Sequence, residues 1–327
     1  MKSKSLVLLV NLGSPEQLNA HSIKKFLKTF LSDSRVVRIP KIIWLPLLNF
    51  LILPKRSKKL VNQYKKIWIY KDNNECISPL IYYSQKQKNE LSKLVSEDII
   101  IENAFCYSES ANINAVLSFA HSKYDINNLL LIPLYPQFSS TTTLSLFDQV
   151  YKFYKSKMYL PTINFLHGFN ENKLYIKALV TQIKTSWDSF GRGEKLIFSY
   201  HSLPKKIIEN GDVYYKECLR TTELIVKQLN LKDDEYQVTF QSKFGWQDWL
   251  LPSTSDVLCN LAKTGTKNID IICPGFVSDC LETLEEIAIL NKNLFLSNGG
   301  IIYNYIPCLN GNKIFIKMLY ELTKKYF

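Results

Sequence analysis

The feature that most constrains the fold of this chain is an internal repeat of strand–turn–helix segments. Three segments of the N-terminal half match three of the C-terminal half in the same order: Leu6–Pro15 with Leu196–Pro204, Asn103–Ser108 with Val238–Ser242, and Asn128–Pro133 with Asn268–Pro274. Short apolar runs alternate with helical periodicity, which is typical of βαβ units around buried parallel sheets. We therefore predict an α/β protein of two similar doubly wound domains, with a cleft between them.

The repeat also suggests the domain boundaries. We predict an N-terminal domain over residues 1–150, a C-terminal domain over 151–310, and a C-terminal helix at 311–327 that packs back on the body. The first half is the longer one before its second strand, so an insertion is expected at about residues 36–75.

Charge and cysteine usage limit the partners and the compartment. The chain has 41 Lys and Arg against 29 Asp and Glu, a net charge of +12, which favours an anionic partner. Because no Arg-rich tract or nucleic-acid motif occurs, we expect no nucleic-acid partner. Seven dispersed cysteines without a CxxC pair indicate reduced thiols in a cytoplasmic protein. The apolar run 6–10 is too short for a signal peptide and is interpreted as a first strand.

The most apolar stretch, residues 42–54, lies inside the expected insertion. It is interrupted by Pro46 and Asn49 and is shorter than the ~20 residues that a bilayer span needs. Lysines and arginines lie on both sides of it. This pattern fits a segment that dips into an anionic membrane surface, and it also fits a buried helix with a basic exit.

One of the four histidines, His201, ends the apolar strand 196–200, before a turn at Pro204. Ligands bind at the carboxyl ends of parallel strands. A neutral imidazole can bind a divalent transition metal or accept a proton near pH 7. The alternative is a histidine that only ends a strand and bonds to the backbone.

Carboxylates follow another predicted strand of the same sheet. Asp279, Glu282 and Glu286 have the spacing of one helix face, with Glu285 beside them. Such a row could bind or pass a hydrated cation. The alternative is a capping box in which Asp279 caps the helix and Glu282 returns the bond.

Two further loops follow predicted strands. The loop 135–143 offers aromatic faces and hydroxyls, which suit an anionic or aromatic ligand or serve only as helix caps. The loop 240–249 contains two Trp and two Phe, more aromatic rings than core packing readily explains for a loop with a glycine.

Six segments together resemble ferrochelatase, in the order of that family and over nearly the whole chain. They are Val10–Glu16, Tyr135–Ser139, Phe198–Pro204, Phe240–Lys243, Ser278–Glu286 and Cys308–Asn312. The resemblance implies a chelatase-like fold of two Rossmann-like domains with a porphyrin in the cleft. It implies insertion of Fe²⁺ into a porphyrin at the last step of haem synthesis. Segment 278–286 resembles the Gram-negative form, which favours protoporphyrin IX over coproporphyrin III.

The resemblance also implies roles for individual residues. His201 and Glu282 match the catalytic and metal-binding pair, and stretch 42–54 matches the lip through which substrate enters in members associated with the inner face of the cytoplasmic membrane. The acidic series continues at Asp279, Glu285 and Glu286, and the porphyrin contacts fall on Leu12, Tyr107, Tyr135 and Trp249.

Departures from the family pattern bear on cofactors. Some members bind a [2Fe–2S] cluster through cysteines, but Ser140 stands at the central position and the C-terminal cysteines are absent. We therefore expect no cluster and no other prosthetic group, because iron is a substrate. Cys280 stands where many members have His. The alternatives are a chelatase for coproporphyrin III, cobalt or nickel, and a non-catalytic two-domain binding protein. The oligomeric state cannot be read from the sequence.

Overall fold

The computed structural model describes residues 3–70, 76–243 and 247–327, and within them the chain forms two compact units. The first unit contains residues 1–135, 139–168 and 316–327, and the second contains residues 136–138 and 169–315. Parts of the expected insertion (71–75) and of the aromatic loop (244–246) lie outside the described residues.

A four-stranded parallel sheet forms the centre of the first unit. Its strands lie in the order β4-β1-β5-β6, and β2 and β3 form a separate antiparallel pair. The ranges are β1 (Ser3–Asn11), β2 (Ile69–Tyr70), β3 (Cys76–Ile77), β4 (Ile99–Phe105), β5 (Asp125–Pro133) and β6 (Thr162–Phe165). Residues 6–10 of β1 are fully buried because this strand has a neighbour on each side and helices on both faces.

Three helices of the first unit begin at polar caps. Asn19, Ser78 and Asn112 each accept a hydrogen bond from a backbone N–H of the first turn. The ranges are α1 (Ala20–Leu31), α2 (Lys41–Leu47), a π-helical turn πA (Leu48–Ile52), α3 (Leu53–Ile67), α4 (Pro79–Ser92), α5 (Ile113–Lys123) and α6 (Thr143–Tyr154). Among the helices of the described ranges, none combines the length and the apolar character needed to cross a bilayer.

The second unit also contains a four-stranded parallel sheet, in the order β10-β9-β7-β8. Its strands are β7 (Lys195–His201), β8 (Tyr236–Gln241), β9 (Asn268–Ile272) and β10 (Ile302–Ile306). Its helices are α7 (Lys173–Phe190), α8 (Lys205–Glu209), α9 (Tyr214–Leu229), α10 (Thr254–Lys263), a π-helix πB (Glu282–Asn291) and α11 (Lys292–Ser297). The last helix, α12 (Lys313–Tyr326), belongs to the first unit from residue 316 onward.

The two sheets have the same strand order when the strands of each unit are numbered along the chain. The order β4-β1-β5-β6 corresponds to β8-β7-β9-β10, and the three repeated segments of the sequence form the pairs β1/β7, β4/β8 and β5/β9. The predicted α/β fold of two similar parallel-sheet units is therefore confirmed. The fourth pair, β6 and β10, also belongs to a repeat of the sequence. Residues 163–179 match residues 303–319, with Asn164, Asn170, Asn172, Lys173 and Lys177 identical to Asn304, Asn310, Asn312, Lys313 and Lys317.

The central strand β9 of the second unit carries a buried carboxylate. Asp270 lies on β9 and is buried, and it accepts hydrogen bonds from Trp187 Nε1 (2.6 Å), the backbone N–H of Gly193 (2.8 Å) and Asn304 Nδ2 (3.0 Å). Three donors replace the water that a buried carboxylate loses, so Asp270 links β9 to α7 and β10.

Candidate active site

His201 ends β7, and its imidazole is fixed by the backbone. Its Nδ1 lies 2.7 Å from the carbonyl oxygen of Ser202. A carbonyl oxygen only accepts, so Nδ1 carries the hydrogen and Nε2 of the neutral ring keeps its lone pair. The Tyr214 hydroxyl donates to the carbonyl of His201 at 3.0 Å and holds the strand end from α9. His201 is half-buried, so Nε2 can accept a proton or bind a metal.

The second group of functional side chains lies on πB. A π-helix hydrogen-bonds from residue i to i+5, so its turn is wider than that of an α-helix, and Glu282 and Glu286 lie about one turn apart. The end of β8 contacts both. Gln241 Nε2 donates to the Glu282 carbonyl at 2.8 Å, and Ser242 donates to the Glu286 carboxylate.

Burial raises the pKa of Glu286 above its ordinary value. Two hydrogen bonds from Ser242 and the charge of nearby His201 lower this pKa, while the charge of Glu282 raises it further. Because the charges of His201 and Glu282 both act on Glu286, these three side chains lie near one another, and Gln241 and Ser242 at the end of β8 hold the two glutamates there. Within the described residues, no three His, Cys, Asp or Glu side chains are close enough to hold a metal ion.

Asp279 has different surroundings from Glu286. It is 3 % exposed, and its Oδ1 accepts hydrogen bonds from the Tyr305 hydroxyl (2.5 Å) and the Thr283 hydroxyl (3.0 Å). Asn310 Nδ2 donates to Oδ2 at 2.6 Å, and the Cys308 N–H approaches Oδ1 at 3.5 Å. Asp279 therefore joins the start of the πB segment to the chain that follows β10. It does not make the capping box that the sequence left open.

Two other residues of this segment are also buried. Glu285 is 2 % exposed, which separates it from the half-buried Glu282 and Glu286. Cys280 is buried, and burial, with the nearby Glu282 charge as a smaller cause, raises the pKa of its thiol well above the ordinary value. Cys280 is therefore a neutral thiol and cannot replace a histidine as a proton acceptor near pH 7.

Leu12 and Tyr107 of the first unit lie together. The Leu12 carbonyl accepts from the Tyr107 backbone N–H at 3.1 Å, and Leu12 itself is half-buried. The Tyr107 side chain is 4 % exposed, and its hydroxyl donates to Asp33 at 2.8 Å and lies 3.0 Å from Ser145 Oγ. Leu12 presents an apolar surface, whereas the buried Tyr107 holds the loop that contains Leu12 in place.

Tyr135 and Trp249 are both half-buried. The Tyr135 hydroxyl lies beside the Cys106 thiol, and burial raises its pKa well above the ordinary value. Trp249 pairs with Pro204 in an antiparallel bridge, which places it against the turn that follows His201. Among the described residues, the buried Nε1 of Trp249 has no hydrogen-bond partner.

Several residues that build the site were not identified from the sequence. Tyr214, Gln241 and Ser242 hold the catalytic candidates through hydrogen bonds, and Tyr305 and Asn310 hold Asp279. Gln241 and Ser242 lie in a segment that resembles the family, but their spacing alone carries no chemical signal. Tyr214 and Tyr305 reach the site only through folding.

Comparison with known proteins identifies the family. The sequence profile of the family described as Ferrochelatase matches residues 4–326. This chain belongs to the ferrochelatase family. It is therefore a lyase of porphyrin and haem biosynthesis, which inserts a metal into a porphyrin, with a porphyrin and iron as substrates. The alternative of a non-catalytic binding protein is excluded.

Similar proteins named ferrochelatase occur in several bacteria. The protein of Aliivibrio fischeri is 40% identical over 320 residues, covering 98% of this chain and 97% of the relative. That of Vibrio cholerae is 38% identical over 318 residues and covers 97% of each chain. That of Wigglesworthia glossinidia brevipalpis is 42% identical over 326 residues, covering 100% of this chain and 99% of the relative.

Solved structures of chelatase type share the fold at low sequence identity. SirB from Bacillus subtilis with Fe3+ superposes with a TM-score of 0.57 at 9% identity, covering 99% of this chain and 95% of that one. CbiX, described as the terminal enzyme for biosynthesis of siroheme in denitrifying bacteria, gives a TM-score of 0.52 at 11% identity, covering 99% of both chains. These likenesses support the chelatase-like fold.

Proposed function

We propose that this chain inserts Fe²⁺ into protoporphyrin IX and so forms protohaem, the terminal step of haem biosynthesis. Membership of the ferrochelatase family establishes the insertion of a metal into a porphyrin. The choice of protoporphyrin is supported by the Gram-negative type of the segment 278–286 and by relatives from Vibrio and Aliivibrio.

The observation that carries the proposed mechanism is the fixed tautomer of His201. A porphyrin binds Fe²⁺ only after its two pyrrole N–H groups lose their protons, so Fe²⁺ and the porphyrin give haem and two protons. Nε2 of His201 accepts the first proton, because Nδ1 is engaged with the Ser202 carbonyl at 2.7 Å. The resulting imidazolium is stabilised by the nearby negative charge of Glu286.

Glu282 and Glu286 supply the negative charge that draws a hydrated Fe²⁺ toward the ring. Glu282 is the proposed metal-binding partner of His201, and Glu286 relays the protons away from it. The effects of the His201 and Glu282 charges on the pKa of Glu286 support the placement of all three side chains in one site. Asp279 and Glu285 complete the proposed acidic relay, and their burial supports a role in holding the segment rather than in contacting the metal. Asp279 accepts hydrogen bonds on both oxygens and anchors the segment before πB.

The proposed porphyrin contacts are Leu12, Tyr107, Tyr135 and Trp249. Apolar and aromatic surface binds the macrocycle through its faces, and binding energy from the periphery can hold the ring bent, which aims a nitrogen lone pair at the metal. The half-buried state of Leu12, Tyr135 and Trp249 supports direct contact. For Tyr107, the hydrogen bond to the Leu12 carbonyl supports a role in holding that residue.

A metal insertion assay under anaerobic conditions tests this function. Purified protein is offered Fe²⁺, Co²⁺ or Ni²⁺ with protoporphyrin IX or coproporphyrin III. We expect the highest kcat/KM for Fe²⁺ with protoporphyrin. A preference for coproporphyrin, or for cobalt or nickel, would replace the proposed substrate pair by one of the alternatives.

We also propose that the protein holds no iron–sulfur cluster. The position of a central cluster cysteine is taken by Ser140, whose hydroxyl accepts from Arg38 Nη2 at 2.9 Å. Anaerobically purified protein is expected to lack visible cluster absorption and stoichiometric acid-labile sulfide. Finding both would contradict the proposal.

We further propose that the protein is cytoplasmic and binds the inner face of the cytoplasmic membrane through residues 42–54. The helices α2, πA and α3 run continuously there, with Trp44, Leu48 and Leu53 buried on the inner side. The outer side exposes the lip patch: Ile42 (86%), Ile43, Leu47, Phe50 (80%) and Leu51.

Exposed apolar surface of this kind marks a binding site. Exposed lysines at 41, 55, 58 and 59 flank the lip patch and suit an anionic surface. Arg35 contributes less to the attraction for an anionic surface, because its guanidinium forms a bidentate ion pair with Asp148. Protoporphyrin is poorly soluble in water, which gives an enzyme that uses it a reason to contact lipid.

A further inference from the structure

Ser242 has an unusual backbone conformation. Three non-glycine residues of the described chain have positive φ: Asn230, Ser242 and Asn310. Asparagine tolerates the left-handed region because its side chain can hydrogen-bond locally, whereas serine has no such advantage. The φ of +64° at Ser242 therefore needs support from its surroundings.

That support comes from one carboxylate. The backbone N–H of Ser242 donates to Glu286 Oε1 at 2.7 Å, and its hydroxyl donates to Oε2 at 2.5 Å. In an extended strand the N–H lies in the plane of the sheet while the side chain stands perpendicular to it. The left-handed turn after β8 ends the strand and lets both donors of one residue meet both oxygens.

The neighbouring residue fixes the same π-helix at a second point. Gln241 Nε2 donates to the Glu282 carbonyl at 2.8 Å. The Ser199 hydroxyl donates to Gln241 Oε1 at 2.8 Å, which orients the amide. The end of β8 thus holds the backbone of πB at Glu282 and the side chain of Glu286.

We propose that Ser242 is a positioning residue for metal insertion, which holds the Glu286 carboxylate in one orientation through its backbone N–H and its hydroxyl. The inference rests on the proposed role of Glu286. With each oxygen accepting one hydrogen bond, one lone pair on each stays directed for a proton or a hydrated metal. Groups that orient a metal-binding side chain typically contribute about 10–100-fold to affinity or activity.

Ser242→Gly tests this. Glycine adopts the left-handed conformation without strain, so the backbone donor stays in place and only the hydroxyl bond is lost. We expect kcat/KM for Fe²⁺ to fall about 10–100-fold, while the KM for porphyrin changes by less than about twofold and the melting temperature by a few degrees at most. A merely structural role would change stability and the KM for porphyrin together. Asn230→Gly, at a remote left-handed position, is the matched control and should leave all kinetic constants unchanged.

A double-variant cycle connects the effect to Glu286. If Ser242 acts through this carboxylate, Ser242→Gly adds no further loss to Glu286→Gln. An additive loss, or a Ser242→Gly enzyme with wild-type kinetics beside an impaired Glu286→Gln enzyme, would overturn the inference and leave the proposed function intact. A Glu286→Gln enzyme with wild-type kinetics would overturn both the role of Glu286 and the inference.

Discussion

The two units share a strand order but differ in the chemistry of their strand ends. The register pairs Asn11 of β1 with Phe105 of β4, and His201 of β7 with Gln241 of β8. Asn11 therefore occupies in the first unit the position that His201 occupies in the second. Asn11 is buried and accepts from the Leu12 N–H at 2.8 Å, while His201 is half-buried and keeps the lone pair of Nε2. The same topology thus carries a buried, locally bonded amide in one unit and, at the equivalent position of the other, the proposed catalytic histidine.

Two glutamates show how this difference arises. Glu16 of the first unit accepts hydrogen bonds from the backbone and hydroxyl of Ser110 and from Ser108 and the Glu109 N–H. Burial alone would raise its pKa, but these donors outweigh burial and lower the pKa below the ordinary value. For Glu286, burial outweighs the two bonds from Ser242, and its pKa is raised. A carboxylate saturated by donors stabilises a loop, whereas one left short of donors retains affinity for a proton.

The largest expected effect comes from exchanging the residue type at the two equivalent strand ends. In His201→Asn, the asparagine of the first unit replaces the imidazole. We expect metal insertion to fall about 10²–10⁴-fold, because an amide cannot accept a proton near pH 7. Porphyrin binding, measured by fluorescence titration, should persist. Retention of more than about a tenth of wild-type turnover would refute the catalytic role of His201.

A second exchange concerns the sheets themselves. Leu6 pairs with Leu129 on β5, and the equivalent Leu196 pairs with Asp270 on β9. Asp270→Leu places the residue of the first unit in the second and leaves the donors of Trp187, Gly193 and Asn304 without a partner. We expect a loss of about 2–5 kcal/mol in the free energy of unfolding, measured by chemical denaturation. Leu129→Met, a change of similar volume in the first unit, should cost less than about 1.5 kcal/mol. Equal costs would show that Asp270 contributes only volume.

The lip patch provides the third test, because the proposed lipid contact lies in the first unit alone. We expect binding to anionic vesicles that weakens with added salt, as the screening of lysine charges requires. Leu47→Ser/Phe50→Ser should weaken binding at least about tenfold through lost apolar burial. Phe190→Ser, which removes an exposed aromatic ring of the second unit, is the control and should have no effect. Unchanged sedimentation of the double variant would mean that the patch does not contact lipid.

The smallest expected effect concerns Glu16 and Glu286, whose substitution by glutamine should change the melting temperature in opposite directions. Because the folded-state pKa of Glu16 is lowered, its stabilisation is present above the unfolded value near 4.5 and is lost as pH falls through the folded pKa. Glu16→Gln should therefore lower the melting temperature at neutral pH and have less effect in acid.

Glu286 should behave in the opposite way. Its raised pKa means that the ionised form costs stability at neutral pH, so Glu286→Gln should raise the melting temperature there and lose this advantage as the wild-type carboxyl becomes protonated. Thermal unfolding of both variants across about pH 3 to 7 checks this. Changes of the same sign in the melting temperature would show that folding does not shift the pKa values of the two carboxylates in opposite directions.

The sequence alone predicted the repeated fold and placed the main candidate residues, His201 and the carboxylates of segment 279–286, after the ends of strands. Fully buried parallel strands require unbroken apolar runs, which is why β1, β5, β7 and β9 could be recognised. The strands β6 and β10 are short and only partly buried, so their sequences lack this signal. The α-helical spacing grouped Asp279 with Glu286, but the π-helix begins only at Glu282 and Asp279 turns toward Tyr305.

Local sequence therefore determined which segments become strands, since burial on both faces imposes an apolar composition at each position. It also determined that histidine and carboxylates follow those strands. Only the tertiary structure decided their chemical states. The tautomer of His201 depends on the Ser202 carbonyl, the orientation of Glu286 on a serine just after β8, and the saturation of Asp279 on side chains 26 and 31 residues away. Protonation and orientation depend on the balance of desolvation and hydrogen bonds from distant residues, and that balance exists only in the folded chain.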